Sequence, residues 1–246
     1  MQRLLLLLCI TTLLAVVAAS ASTSHADAAA GCGSASYGTN GYAYAGFQAG
    51  HRAHGVRATL SALATNDVTE GHVAAWVGVG GPGQGPGGAN EWLQVGLSSF
   101  PGSAGNLYFE VARPGSSPQF RLLESAVPAG ELRRVSVLEM STKPNWWRVW
   151  VDGKPASDPV FLPGSTNRWE PIATAEAWDG GSGICNRFSY RFDRIELAFA
   201  RGGSWRSFPT GFRFQDDGYR VALQRGGKAQ RASAGVGGTS FVASAV

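Results

Sequence analysis

Gln94, Glu110 and Glu176 each stand beside large aromatic residues in short stretches where apolar and polar residues alternate. In a β-strand, residues two apart share a face. Trp92 and Gln94 therefore share one face of 91–97, opposite Leu93, Val95 and Leu97. Tyr108 and Glu110 share one face of 106–113, opposite Leu107, Phe109 and Val111. Thr174, Glu176 and Trp178 share one face of 172–178, opposite Ala173, Ala175 and Ala177. Three strands thus each pair an apolar face with a face carrying an aromatic ring and an amide or carboxylate. An exposed sheet face is often merely polar. Rings beside carboxylates suit a binding groove better. Two carboxylates on such a face, Glu110 and Glu176, are also a candidate acid/base pair for glycoside cleavage. That chemistry needs the carboxyls about 5–10 Å apart across an open cleft.

The elements that must hold these residues are strands. Runs rich in Val, Trp, Phe and Tyr cover 55–64, 72–79, 91–97, 106–113, 119–124, 132–140, 146–151, 172–178, 188–199, 219–224 and 239–243. Gly, Pro, Asn and Asp bound them. Asp152-Gly153 is a hairpin turn signal after 146–151. No stretch carries an apolar stripe of helical period with caps. The reading is an all-β, two-sheet antiparallel β-sandwich or jelly roll. Residues 80–89, rich in Gly and Pro, form a flexible loop between two core strands rather than a domain linker. Trp146, Arg148 and Trp150 share one face of their strand, Trp147 and Val149 the other. One of these faces packs in the core, and the other is a candidate platform for sugar rings.

The composition agrees with one large β-domain. Of 246 residues, 44% are hydrophobic and 15% charged, with 8 Trp and 12 Phe, which is too apolar and aromatic for a disordered chain. The net charge of +4 is dispersed, so no nucleic-acid footprint is expected. Residues 1–28 read as a secretory signal peptide: a basic start, an apolar stretch, then small residues in A-x-A order. Export, no membrane span after cleavage, a loose lead-in over 29–41 and a single domain over 42–246 follow as expectations. So does a monomer. In an oxidising compartment the two remaining cysteines, Cys32 and Cys185, are expected to form one disulfide. The histidines His51, His54 and His72 are scattered and match no metal-binding pattern, and no metal or cofactor is expected. His51 and His54 are placed in an exposed loop. Gly78-Val79-Gly80-Gly81-Pro82-Gly83 matches a dinucleotide fingerprint only literally, because no helix follows.

The order Trp76-Val77-Gly78-Val79-Gly80-Gly81, Leu93-Gln94-Val95-Gly96, Tyr108-Phe109-Glu110 and Ala175-Glu176-Ala177-Trp178 resembles the glutamic peptidases, or eqolisins. Gln94 lies 16 residues before Glu110 and 82 before Glu176, separations similar to that family's. The resemblance runs from about residue 42 to the end. It implies a concanavalin A-like sandwich and an acid endopeptidase acting on polypeptides. It places Gln94 and Glu176 at the catalytic dyad, with the carboxylate as general base and the carboxamide as oxyanion donor. Trp76, Trp92, Tyr108, Glu110 and Trp178 would line the groove. The chain differs from the family pattern at Gly80, where Asp is frequent, and in its long Gly-Pro loop. Tyr42 or Tyr44 stands in for an N-terminal Trp. The rival reading is a non-catalytic protein of the same fold that binds glycan or peptide in that groove.

Overall fold

The structure is a computed structural model and describes residues 41–180, 186–208, 211–224 and 239–245. The expected signal peptide, most of the lead-in, Cys32 and Cys185 lie outside the described residues. Apart from one 3-10 turn at Pro86–Gly88, the described elements are strands. They are β1 Tyr42–Gln48, β2 Gly55–Ala62, β3 His72–Gly81, β4 Glu91–Ser99, β5 Gly105–Ala112, β6 Gln119–Val127, β7 Arg133–Glu139 and β8 Trp146–Val151. Next come β9 Lys154–Pro155, β10 Val160–Phe161, β11 Ile172–Trp178, β12 Ser189–Ala200, β13 Gly203–Ser207, β14 Phe212–Gln215, β15 Tyr219–Leu223 and β16 Thr239–Ala245.

These strands form two antiparallel sheets. The first has seven strands in the order β14-β1-β11-β3-β4-β5-β6. The second has nine and runs β10-β8-β7-β2-β12-β16-β15, with β13 on β12 and β9 on β8. The all-β sandwich expected from alternation is therefore present, and all eleven expected runs are strands. Five strands lie outside those runs: β1 and β14, which complete one edge of the first sheet, the short β9 and β10, and β13 on β12. β1 is missed because Ala43, Ala45 and Gly46 supply little apolar contrast.

That low contrast has a packing reason. Ala43 and Ala45 of β1 pair with Ala177 and Ala175 of β11, and all four point into the core. Their side of the sheet meets β12, β15 and β16. Those strands bring Tyr190, Phe192, Phe241 and Tyr219, with Phe192 stacked on Phe241 at 4.4 Å between ring centroids. Small residues on one sheet make room for rings on the other, which fills the layer at interior density. Further along, Val73, Ala75, Val77 and Val79 of β3 and Leu93, Val95 and Leu97 of β4 continue the same face. On β8, Trp147 and Val149 are the core face, and Trp147 donates to the Ser165 hydroxyl at 2.8 Å. Trp146, on the other face, packs against Phe161.

The Gly-Pro connection is bound at several points. Gly83 N–H donates to Asn90 Oδ1, Gly85 N–H to Ala89 O, and Trp169 Nε1 to Gln84 O. Beneath it, Glu91 is fully buried, and among the described residues neither of its carboxylate oxygens has a hydrogen-bond partner. Burial pushes this carboxyl up to about 7 from 4.5, against the opposing pull of the Arg168 charge. His54, expected in an exposed loop, is instead half-buried, with Nδ1 2.6 Å from Oε2 of the buried Glu139. Asn145 N–H and the Thr166 hydroxyl donate to Oε1 of the same group, so both oxygens of that buried carboxyl are satisfied. Sequence spacing of 85 residues hides that pairing.

Glu91 gives the fold a pH dependence of definite sign. Below pH 4.5 it is protonated in folded and unfolded chains alike. As pH rises from 4.5 to about 7 the unfolded chain ionises first, so stability falls and then levels off. Urea denaturation at pH 4 and pH 8 checks this. Glu91→Gln is expected to match the wild type at pH 4 and to exceed it at pH 8 by on the order of 3 kcal/mol. A second expectation concerns Gly96 on β4, where a Cβ would lie 1.9 Å from Ala75 O and 2.7 Å from Trp76 Cα. Gly96→Ala should cost about 1–3 kcal/mol in the same assay. Gly50→Ala, with nothing within 4 Å of the added carbon, is the near-neutral control.

Candidate functional site

The outer face of the seven-stranded sheet carries all seven residues singled out in the sequence. Register arranges them in rows. Glu176 on β11 stands level with Tyr44 on β1, Ala74 on β3 and Ser98 on β4. The next row on that face holds Thr174, Trp76, Gly96 and Tyr108. The row beyond it holds Ile172, Gly78, Gln94 and Glu110. Gln94 and Glu176 therefore stand on opposite sides of the Trp76–Tyr108 row, on strands separated only by β3. Gly96 lies between Trp76 and Tyr108, and the β3 backbone beside it leaves no space for a side chain.

Glu176 is nearly covered, at 7% exposure, and both of its oxygens are hydrogen-bonded. Trp76 Nε1 donates to Oε2 at 3.1 Å. His72 Nε2 lies 3.0 Å from Oε1. The indole N–H is a donor only, so Oε2 is the acceptor in that bond. Gln94 is 9% exposed and its Nε2 donates to the Tyr108 hydroxyl at 3.3 Å. Trp76 and Tyr108 pack together with Ala74 in a small apolar cluster on this face, flanked by Tyr44 and Ile172. Trp92 Nε1 donates to Glu110 Oε1 at 2.9 Å. Trp178 stacks on Tyr42 at 5.9 Å and meets the His72 ring at 5.6 Å. Tyr42 and Tyr44, the proposed stand-ins on the first strand, both belong to this face, and their rings stack on one another at 6.2 Å.

The electrostatics of the face follow from burial. The phenols of Tyr42, Tyr44 and Tyr108 are pushed above their ordinary range, first by burial and then by the Glu176 charge. All three stay as neutral O–H groups across the acid and neutral range. Glu110 is also raised, chiefly by burial and further by the Glu176 charge, while the Trp92 N–H and the His72 charge pull it down. Glu110 thus keeps its proton to higher pH than a free carboxyl.

Local structure pins the ends of these strands. Asn186 is fully buried, and its Nδ2 donates to Glu70 O at 2.6 Å and Trp178 O at 3.1 Å. Its Oδ1 accepts from Thr69 N–H at 2.9 Å. One side chain therefore ties the end of β11 to the approach of β3, where His72 begins. On the other side, Asp216 Oδ2 accepts from Tyr44 N–H at 2.8 Å, and Asp216 N–H returns to Tyr44 O at 2.9 Å.

Sequence reasoning missed His72 as a member of the site. It also missed Phe100 and Phe120, which extend the aromatic surface. Phe120 stacks on Tyr108 at 4.8 Å and meets Phe100 at 6.0 Å. Alternation carried a signal for His72, which is four residues before Trp76 and so on its face. An open depression of about 690 Å³ lined by His51, Arg52, Glu170, Phe199 and Arg206 contains none of the candidate residues. Among the described residues no group of three or more His, Cys, Asp or Glu is placed to hold a metal ion. Among the same residues no helix is long and apolar enough to cross a membrane.

No protein-family model matches the chain, and no curated protein does. Solved structures do. Scytalido-glutamic peptidase with a peptide-based transition-state analog superposes with a TM-score of 0.57 at 16% identity, over 85% of this chain and 100% of that one. The same enzyme with a transition-state analog inhibitor gives 0.53 at 14% identity, with the same coverage. SCP-B, a member of the eqolisin family in complex with the tripeptide Ala-Ile-His, gives 0.51 at 16% identity over 83% of this chain and 98% of that one. The chain therefore has the concanavalin A-like fold of the glutamic peptidases.

The Trp92–Glu110 bond is open to direct test. Removing the indole N–H in Trp92→Phe should raise the Glu110 carboxyl further, since that bond is what opposes its burial. Carbon-13 titration of the side-chain carboxyls is the measurement, and an unchanged Glu110 midpoint would contradict the assignment.

Proposed function

We propose that this chain is a secreted acid endopeptidase of the glutamic type, with Glu176 as general base and then acid and Gln94 as oxyanion donor. The observation that carries the reading is the disposition of two covered polar side chains about one aromatic row. Glu176 and Gln94 flank Trp76 and Tyr108 on the outer face of a sheet whose fold is that of glutamic peptidases. The substrate class is a polypeptide, laid across an aromatic face made by Trp76, Trp92, Tyr108, Glu110 and Trp178.

The chemistry follows from the groups. A water beside ionised Glu176 attacks the scissile carbonyl carbon and gives its proton to the carboxylate. The carbonyl oxygen gains charge and accepts from Gln94 Nε2–H. That amide now donates over a long 3.3 Å bond to Tyr108, which is readily exchanged for a bond to an oxyanion. Protonated Glu176 then donates to the leaving nitrogen as the C–N bond breaks. Two carboxylates share the face, and they cannot both ionise without repulsion. Burial and the Glu176 charge raise Glu110, so it keeps its proton to higher pH than a free carboxyl. The scheme uses no cofactor.

Incubation of the chain with an unfolded protein at pH about 3.5 and at pH 7 tests the reading. Cleavage is expected at acid pH, abolished in Glu176→Gln and reduced about 10²–10³-fold in Gln94→Ala. Folded wild-type chain that cleaves at neither pH would replace the peptidase with a binding protein of the same fold.

A further inference from the structure

We infer that His72 is the positioning residue for Glu176, a built-in imidazole partner that aims the carboxylate and sets a protonatable nitrogen against it; this rests on the peptidase reading above. The geometry begins with the bond of 3.0 Å from His72 Nε2 to Glu176 Oε1. With Trp76 Nε1 on Oε2 at 3.1 Å, the carboxylate is held at both oxygens and cannot turn in its plane. His72 itself is braced. Its ring meets Trp178 at 5.6 Å, Phe100 at 5.9 Å and Tyr42 at 6.1 Å. Three ring contacts brace the imidazole, and its Nε2 meets Glu176.

Charge on this face makes the partner matter. Among the described residues, the titratable groups shown to feel the Glu176 charge are Tyr42 and Tyr44 from β1 and Tyr108 and Glu110 from β5. None of them can be positive. Among the described residues His72 is the one side chain able to carry positive charge within 4.0 Å of the Glu176 carboxylate. An imidazole is protonated in the acid range. A positive charge at that distance favours the ionised form of a carboxylate, the form a general base requires. It also favours release of the proton that Glu176 later gives to the leaving nitrogen. Trp76 supplies a hydrogen bond without charge, so it cannot replace this function.

Two measurements on the full chain test the inference. The first is independent of activity. Nitrogen-15 correlation of the imidazole in resting protein at pH about 4–5 should show a slowly exchanging proton on His72 Nε2, lost in Glu176→Ala. The second is the pH profile of kcat/KM for His72→Phe, which keeps the aromatic packing, and His72→Gln, which keeps a neutral donor. The acid limb should move up by about one pH unit in His72→Phe and by less in His72→Gln. Equal acid limbs in wild type and both folded variants would overturn the role. Absence of the Nε2 proton in wild type would overturn the pairing whatever the kinetics show. If the proton is present but wild type cleaves nothing, the peptidase reading has failed, and the catalytic role of His72 falls with it while the bond stands.

Discussion

A carboxylate placed out of water must be hydrogen-bonded, or it gives up its charge. Glu176 is placed at 7% exposure on the outer face of a sheet, and the arrangement around it answers that demand. Trp76 comes from the neighbouring strand one row along, and His72 from the same strand one row the other way. Neither could reach Glu176 if β3 slipped by one residue, since a slip turns every side chain to the opposite face. The register of β3 against β11 is in turn held by the core, because the opposite slip would turn Val73, Ala75, Val77 and Val79 outward. The polar site and the apolar layer beneath it are two sides of one constraint.

Glu91 and Glu139 show the same demand met differently. Both are fully buried. Glu139 has His54, Asn145 and Thr166 as donors and is a satisfied internal tie between connections. Glu91 has none among the described residues, and its carboxyl is raised to about 7 instead. The contrast between these and Glu176 is one of neighbours, since the residue type is shared.

Much of this was legible in the residues. Alternation alone assigned the faces of β4, β5 and β11, because each carries strong apolar residues at every second position. The outer-face assignment of Gln94, Glu110 and Glu176 follows from it. What was not legible depended on contacts between distant segments. The His72–Glu176 pair spans 104 residues and the His54–Glu139 pair 85. β1 escaped notice because its inward residues are alanines, whose apolar signal is weak although their burial is complete. The same applies to Phe120, which sits on an edge strand where six of nine residues are exposed and alternation is blurred.

The alanine seam between β1 and β11 has a consequence for how this chain can vary over time. Ala43, Ala45, Ala175 and Ala177 are all at most 2% exposed and abut the ring-bearing sheet. Any larger residue there collides with the facing aromatics, and a compensating reduction must occur on another sheet, far away in sequence. Single-step drift is therefore closed at the seam. Inheritance there is governed by volume, and change is left to the outward positions one residue along, where Tyr42, Tyr44, Glu176 and Trp178 stand. A lineage built on this layer can remodel what the face recognises while the seam beneath it stays the same size.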